Sequence, residues 1–359
     1  MNPSLRAPFP WFGGKSRVAP LVWTRFGNVT NYVEPFAGSL AVLLSRPHTP
    51  RAETVNDADA FLCNFWRATQ ADPCVVAQHA DWPVNETDLH ARHRWLMNEG
   101  SPIVERLLSD PEFFDAKVAG WWVWGLCMWI GSGWCKPVGS RHSNGTRKQI
   151  DWAVRPDLSS ANGRGGIMHT WKKRPNVKRG GIGVHRTWQQ IPDLSGDAGA
   201  TGRGIHAKGF DDRTGGLLEY IEALSTRLRR VRVTCGDWSR VLGPAVTTSI
   251  GLTGIFLDPP YSHDERVPGI YSQDLDIADS VRDWAVANGD NPQLRIALCG
   301  YEGEHEMPDG WECVGWKAGG GHGRTPRARA NVNRERIWFS PACLSASDDT
   351  PLFRAGANR

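Results

Sequence analysis

Short apolar runs alternate with segments of helical spacing at both ends of this chain, and that alternation restricts its fold more than any other feature. "NYVEP" (31–35) reads as a strand and "SLAVLLS" (39–45) as the opening of a helix. "AETVND" (52–57) reads as a second strand running into "ADAFLCNFWRAT", where Phe61, Leu62, Phe65 and Trp66 recur at helical spacing. A further helix is expected around 85–97. The pattern returns at 216 with "GLLEYIEALSTRLRRV", a helix whose apolar face holds Leu217, Ile221, Leu224 and Leu228. "VRVTCGD" is a strand, "GIFLDPPY" a buried strand ending in a turn, and "LDIADSVRDWAVANG" a helix with a glycine stop. "LRIALCGY", "WECVGWKA" and "ERIWFSP" read as three more strands. Strands alternating with helices imply an α/β sheet with mostly parallel strands.

The chain has 359 residues, 40% of them apolar and 22% charged, enough for one large domain or two ordinary ones. No apolar run reaches the roughly 20 residues of a membrane helix. The most apolar stretch, "VAGWWVWGLCMWIGSGW" (118–134), is broken by glycine and reads as a core helix built on Trp121, Trp122, Trp124, Trp129 and Trp134. The N-terminus lacks the apolar centre of a signal peptide. Eight cysteines without a C-x-x-C pair suit a reducing cytoplasm. Cys135, His142, His169 and His185 match no zinc spacing, so no metal is expected. His90 and His93, one helical turn apart, read as a surface pair.

Charge is unevenly placed. The net formal charge is only +4, yet residues 136–215 hold 15 Lys and Arg against 6 Asp. The rest of the chain is therefore net acidic. The same segment holds 14 of the 39 glycines and little apolar periodicity. Such asymmetry fits either a polyanion partner or a solvated basic insertion.

In a doubly wound sheet, ligands bind beyond the carboxyl ends of the strands. Here those ends read "EPFAGS" (34–39), "ND" (56–57), "GD" (236–237) and "DPPY" (258–261), each an acidic residue or a glycine turn. "EPFAGS" is not G-x-G-x-x-G, so the dinucleotide fingerprint fails; a methionine-bearing nucleoside is the better ligand. Asp57 is placed to accept hydrogen bonds from ribose hydroxyls, or to cap a helix beginning at Ala58. In "DPPY", two prolines stop the strand and stiffen the turn. They hold the Asp258 carboxylate and the Pro259 carbonyl as two acceptors suited to the hydrogens of an exocyclic amine, and Tyr261 offers a flat face to the base. In "PWFGGKSR" (10–17), Gly-Gly permits close backbone approach and Lys15 can meet a carboxylate.

Taken in order, "WFGGK", "EPFAGS", "NDADAFLCNFW", "CGDW" and "DPPY" resemble the motifs of the Dam-like, alpha-group adenine-N6 DNA methyltransferases. "ALCGYE" and "RERIWFSP" are similar to late strands of that family. The resemblance implies a Rossmann-like methyltransferase sheet with helices on both faces, discontinuous over 1–97 and 216–342. It also implies an inserted target-recognition region at 98–215, followed by a polar tail at 343–359. It implies S-adenosylmethionine as cofactor and double-stranded DNA as partner, with a monomer acting in the cytoplasm of a bacterium or a phage-infected host, alone or within a restriction system.

The same resemblance assigns residues. Trp11, Gly13, Gly14 and Lys15 flank the cofactor; Glu34, Phe36, Ala37 and Gly38 form its main pocket; Asp57 holds the ribose and Asp237 the adenine amine. Asp258, Pro259, Pro260 and Tyr261 hold the target adenine. In the basic segment, Lys136, Arg141, Arg147, Lys148, Lys172, Lys173, Arg174, Lys178, Arg179 and Arg186 are expected to meet phosphates, with Trp171 and Trp188 as stacking candidates. The segment lacks the Asn-Val-Pro run of enzymes that read GATC. Methylation of cytosine N4, an RNA base or a protein glutamine, and a DNA-binding module without catalysis, remain the alternatives.

Overall fold

The computed structural model describes residues 5–9, 11, 14–99, 101–110, 112–129, 134–135, 216–260, 277–317 and 334–345. Seven strands form one sheet: β1 (Asn31–Glu34), β2 (Ala52–Asp57), β3 (Arg232–Cys235), β4 (Thr253–Leu257), β5 (Leu294–Tyr301), β6 (Glu312–Gly315) and β7 (Glu335–Phe339). Their order across the sheet is β3-β2-β1-β4-β5-β7-β6. The first five are parallel to one another, whereas β7 runs antiparallel to both β5 and β6. All seven strands were expected from the sequence, and the sheet is that of a Rossmann-like methyltransferase.

The period-two geometry of a strand sorts its side chains onto two cores. From β4, Ile255 and Leu257 enter one core and Phe256 the other; from β5, Leu294, Ile296 and Leu298 part from Ala297 and Cys299. Both central strands β1 and β4 are buried along their whole length, while the edge strand β3 is mostly half-buried and the edge strand β6 largely exposed. This is why β4 reads as a nearly continuous apolar run, while β1 buries Asn31 and Glu34 at its two ends.

One face carries α1 (Ala19–Phe26), the single turn α2 (Ala41–Leu44), α3 (Ala60–Ala71), α4 (Pro73–Ala80), α7 (Ala116–Met128) and α8 (Leu217–Leu228). The other carries α9 (Ala278–Asn288), with Val281 and Ala285 in its core. Two more helices, α5 (Glu86–Glu99) and α6 (Ser101–Ser109), pack at the flank of α7 and α3. The tryptophan-rich helix expected from the sequence is α7, which lies across α3 and α4, but it carries only Trp121, Trp122 and Trp124: it ends at Met128, with Trp129 at its C-cap and Trp134 beyond it. Its start is fixed by a reciprocal pair: Asn64 Nδ2 donates to Asp115 O at 2.9 Å and Asp115 N donates to Asn64 Oδ1 at 2.8 Å.

Two local readings need correction. The cap of α3 is Asp59, which accepts from the N–H groups of Phe61 and Leu62 at 3.0 and 3.2 Å. Asp57 is thereby left out of that role. His90 is an exposed residue 3.6 Å from Glu86, but His93 is half-buried, stacked on Trp129 and accepting the N–H of Cys135 at its Nδ1. Helical spacing puts the two on neighbouring turns without saying how far the chain beyond α7 folds back over one of them.

A buried ion triad braces β2. Glu53 meets Arg46 at 3.1 Å and Arg227 at 2.6 Å, and these arginines also donate to Val29 O and Leu43 O. Removing the carboxylate would leave two cations inside the protein without their counter-charge. Glu53→Ala is expected to lower the unfolding free energy by about 3–5 kcal/mol, read from urea denaturation. A midpoint unchanged from wild type would show that the arginines are solvated.

Candidate active site at the strand ends

The parallel register of β3, β2, β1 and β4 brings the carboxyl ends of four adjacent strands to one edge. In that order the edge presents Asp237, Asp57, Glu34 and Asp258, a row spanning about 14 Å at the usual strand spacing. The chain reverses its direction of winding between β1 and β4, the switch point where open α/β sheets bind ligands.

At the switch point, Lys15 Nζ lies 2.9 Å from Asp258 Oδ1, with both side chains mostly buried. Lys15 sits in a 3-10 turn (Lys15–Arg17) held by Gly14 N donating to Trp11 O at 3.2 Å. Its ammonium lies 5.4 Å from the centre of the Trp316 ring. Burial opposes the Lys15 charge, but Asp258, with Cys299 and Glu335, outweighs it and raises the pKa. Lys15 was grouped in the sequence with the cofactor residues; the structure pairs it with the carboxylate of the "DPPY" turn.

Glu34 is buried at the end of β1 and accepts the Tyr32 hydroxyl at 3.0 Å. Burial pushes its carboxyl well above the usual range, and the nearby charges of Asp258 and Asp57 add to the effect. Asp57 accepts Asp59 N at 2.9 Å and Gly38 N at 3.1 Å. Burial pushes its carboxyl up to about 7 against the opposing pull of those N–H groups.

The turn after β1 folds tightly. Gly38 has φ +46°, and a Cβ there would stand 2.5 Å from Cδ1 of Trp11, so both conformation and contact require glycine. The Trp11 indole thus closes over "EPFAGS", while Trp66 Nε1 donates to Gly38 O at 3.2 Å from below. Ala37 N donates to Asn56 O at 2.8 Å. Leu40 takes the left-handed conformation and α2 follows for one turn only. A single turn has little dipole, so this helix end offers little to an anion.

On the far side, Gly236 has φ +132° and Asp237 caps the 3-10 turn Trp238–Val241 by accepting Ser239 N at 2.9 Å. Trp238 stacks on Phe36 with ring centres 6.3 Å apart and planes 26° apart. The structure therefore gathers Trp11, Gly14, Lys15, Glu34, Phe36, Ala37, Gly38, Asp57, Asp237, Asp258, Pro259 and Pro260 along one edge. Gly13, Tyr261, the ten basic candidates from Lys136 to Arg186, and Trp171 and Trp188 lie outside the described residues.

Sequence reasoning passed over Trp238, Trp316 and Asn56. Trp238 stands within the quoted "CGDW" and Asn56 directly before Asp57, so adjacency to an acidic strand end was the available signal. Nothing in the spacing of "WECVGWKA" points to Trp316.

The donor set fits a nucleoside that carries hydroxyl and amine donors and a positive charge. Two carboxyls held up by burial would be relieved by such donors, and the Phe36–Trp238 pair supplies flat apolar faces. No curated protein matches the chain. The sequence model of the D12 class N6 adenine-specific DNA methyltransferase family matches residues 11–93. That span runs from Trp11 through β1, β2 and α3 into α5, in agreement with the Dam-like resemblance of its motifs. Over residues 11–93 this protein is similar to the D12 class N6 adenine-specific DNA methyltransferases.

Proposed function

We propose that the protein transfers the methyl group of S-adenosylmethionine to the N6 amino group of adenine in double-stranded DNA. The observation that carries this reading is Asp258, held by buried Lys15 at the β1–β4 switch point beside the turn matched by the family. S-adenosylmethionine supplies an electrophilic methyl group on a sulfonium. Glu34, Asp57 and Asp237 would hold its hydroxyl and amine donors, with Phe36, Ala37, Gly38, Trp11, Gly13 and Gly14 shaping the pocket.

On this reading the target adenine leaves the duplex and enters the pocket of Asp258, Pro259, Pro260 and Tyr261. The Asp258 carboxylate and the Pro259 carbonyl accept the two N6 hydrogens. Accepting both draws electron density back onto the amine nitrogen and away from the ring, which makes it a nucleophile. Lys15 keeps Asp258 ionised and oriented until the amine arrives, so the carboxylate is an acceptor from the outset. Asp258 is then the group nearest the proton released as the N–C bond forms.

The residues 98–215 are the proposed recognition region. Their helical part, α6 and α7, docks on α3 and α5 and on α3 and α4 respectively. Their basic part, 136–215, supplies the phosphate contacts from Lys136, Arg141, Arg147, Lys148, Lys172, Lys173, Arg174, Lys178, Arg179 and Arg186. No helix among the described residues is long and apolar enough to cross a membrane. A monomer acting on DNA in the cytoplasm, in a phage or restriction setting, is the simplest context for such a chain.

Transfer from labelled S-adenosylmethionine to unmethylated genomic DNA, read by nucleoside mass spectrometry, is expected to place the label in N6-methyladenine. Label in N4-methylcytosine, in RNA or in protein would overturn the base or the substrate. Cofactor binding without any transfer would favour the DNA-binding module. Asp258→Asn keeps the shape of the side chain but replaces one acceptor oxygen with a donor, and should lower the rate by about 10²–10⁴ with cofactor affinity retained. A rate within threefold of wild type would sink the assigned role.

The Asp57 carboxyl gives a pH dependence. A ligand that donates hydrogen bonds to it binds the ionised form, so affinity is complete above the free protein's value of about 7 and is lost as pH falls through it. Titration calorimetry should show cofactor affinity rising about tenfold between pH 6 and pH 8, and Asp57→Asn should flatten that rise. An equal slope in the variant would assign the proton to another group.

A further inference from the structure

Asn56 stands at the end of β2 with its side chain buried and every polar atom of its amide engaged. Nδ2 donates to Pro35 O at 3.2 Å and to Gly236 O at 3.0 Å. Oδ1 accepts the Thr234 hydroxyl at 2.9 Å. Both atoms facing Nδ2 are carbonyl oxygens, which only accept, so the amide can point in one direction alone. The main chain repeats the pattern. Asn56 O accepts Ala37 N at 2.8 Å, and Asp57 O accepts Gly236 N at 2.9 Å.

These bonds join two loops that are far apart in sequence. Pro35 belongs to the turn that carries Phe36, Ala37 and Gly38; Gly236 belongs to the turn that carries Asp237 and Trp238. β1 and β3 are not neighbours in the sheet, since β2 lies between them. No backbone ladder therefore holds one turn to the other. The Asn56 side chain spans that gap and ties together the two turns that carry the stacked rings of Phe36 and Trp238.

We propose that Asn56 is a positioning residue for cofactor binding: it sets the separation of the two turns, and through them the slot between Phe36, Asp57 and Asp237. This rests on the reading of the strand-end site as an S-adenosylmethionine pocket. Asn56 touches the two turns and acts through them. The chemistry admits few substitutes. Aspartate has the same shape but sets carboxylate oxygens against two carbonyls, so attraction becomes repulsion on both sides. Glutamine places the amide one methylene too far out. Alanine leaves two buried carbonyls without donors.

The test uses the full chain and three variants, with S-adenosylmethionine affinity from calorimetry, thermal unfolding, and steady-state kinetics on DNA. Asn56→Asp is expected to weaken cofactor affinity at least tenfold and raise the cofactor KM in proportion. Its kcat at saturating cofactor should stay within about threefold of wild type, because Lys15, Asp258 and the "DPPY" turn are untouched. Thr234→Val, which removes the partner of Oδ1 and keeps both Nδ2 bonds, should move affinity two- to fivefold in the same direction, and it serves if Asn56→Asp fails to fold. Glu53→Ala is the stability control: it loses thermal stability without touching either turn, and its cofactor affinity should equal that of wild type. Equal affinity in wild type and both Asn56→Asp and Thr234→Val would overturn the proposal while leaving the methyltransferase reading in place. So would an affinity loss in Glu53→Ala matching that of the Asn56 variant, since the effect would then be general destabilisation. A wild-type chain that binds no S-adenosylmethionine would remove the reading of the site, and this inference with it.

Discussion

Carboxyl groups at the ends of four adjacent parallel strands repel one another, and a buried row of them is stable only if each charge is met or removed. This chain uses a different means at each position. Asp258 is met by the Lys15 ammonium at 2.9 Å. Asp57 is met by the N–H groups of Gly38 and Asp59. Glu34 receives the Tyr32 hydroxyl and the Leu43 N–H, yet burial outweighs both and drives its pKa up. Asp237, which is exposed, takes the N–H of Ser239. The compensation is thus arranged so that the cation sits at one end of the row. Beside it are two carboxyls whose ionisation a donor-rich, positively charged ligand would complete. A site of this kind is held at a cost in stability that ligand binding recovers.

The same requirement explains why an N-terminal segment without regular structure is bound so closely to the sheet. Lys15 reaches Asp258 only because the loop ahead of α1 is pinned on an aromatic bed. Phe9 contacts Phe65, Trp66 and Trp122 with ring centres 5.4–5.6 Å apart, and Trp11 rests on Gly38. The edge-to-face contacts of Phe9 with Phe65 and Trp122 add directional preference to apolar burial. They give a loop that lacks a hydrogen-bond ladder a defined place.

Much of the architecture was legible because its signals are local. Strand ends were marked by the acidic residues and glycines of "EPFAGS", "ND", "GD" and "DPPY", and helix faces by residues such as Leu217, Ile221, Leu224 and Leu228. What was not legible depends on distance across the fold. That Lys15 meets Asp258, 243 positions later in the chain, follows from the placement of β4 beside β1, which no spacing encodes. Asp59 and Asp57 are equally good caps by residue type, and only the Gly38 N–H, delivered by the neighbouring turn, decides between them. Asn56 escaped notice for the same reason, since both carbonyls it binds lie on other strands' loops.

The path from this site toward the basic segment is also built from rings. Trp11, over Gly38, lies 6.3 Å from Trp122 of α7, and the Trp122 carbonyl accepts Trp134 Nε1 at 2.9 Å. Trp134 lies flat on the same helix where Gly125 leaves room: a Cβ at that position would be 1.9 Å from its ring. Residue 134 is thereby fixed just ahead of the first of the basic residues at Lys136. Trp134 is thus packed, through Trp122 and Trp11, against the turn that ends β1. Since α7 is held at its start by Asn64 of α3 and along its length by α4, its position cannot drift independently of the sheet edge.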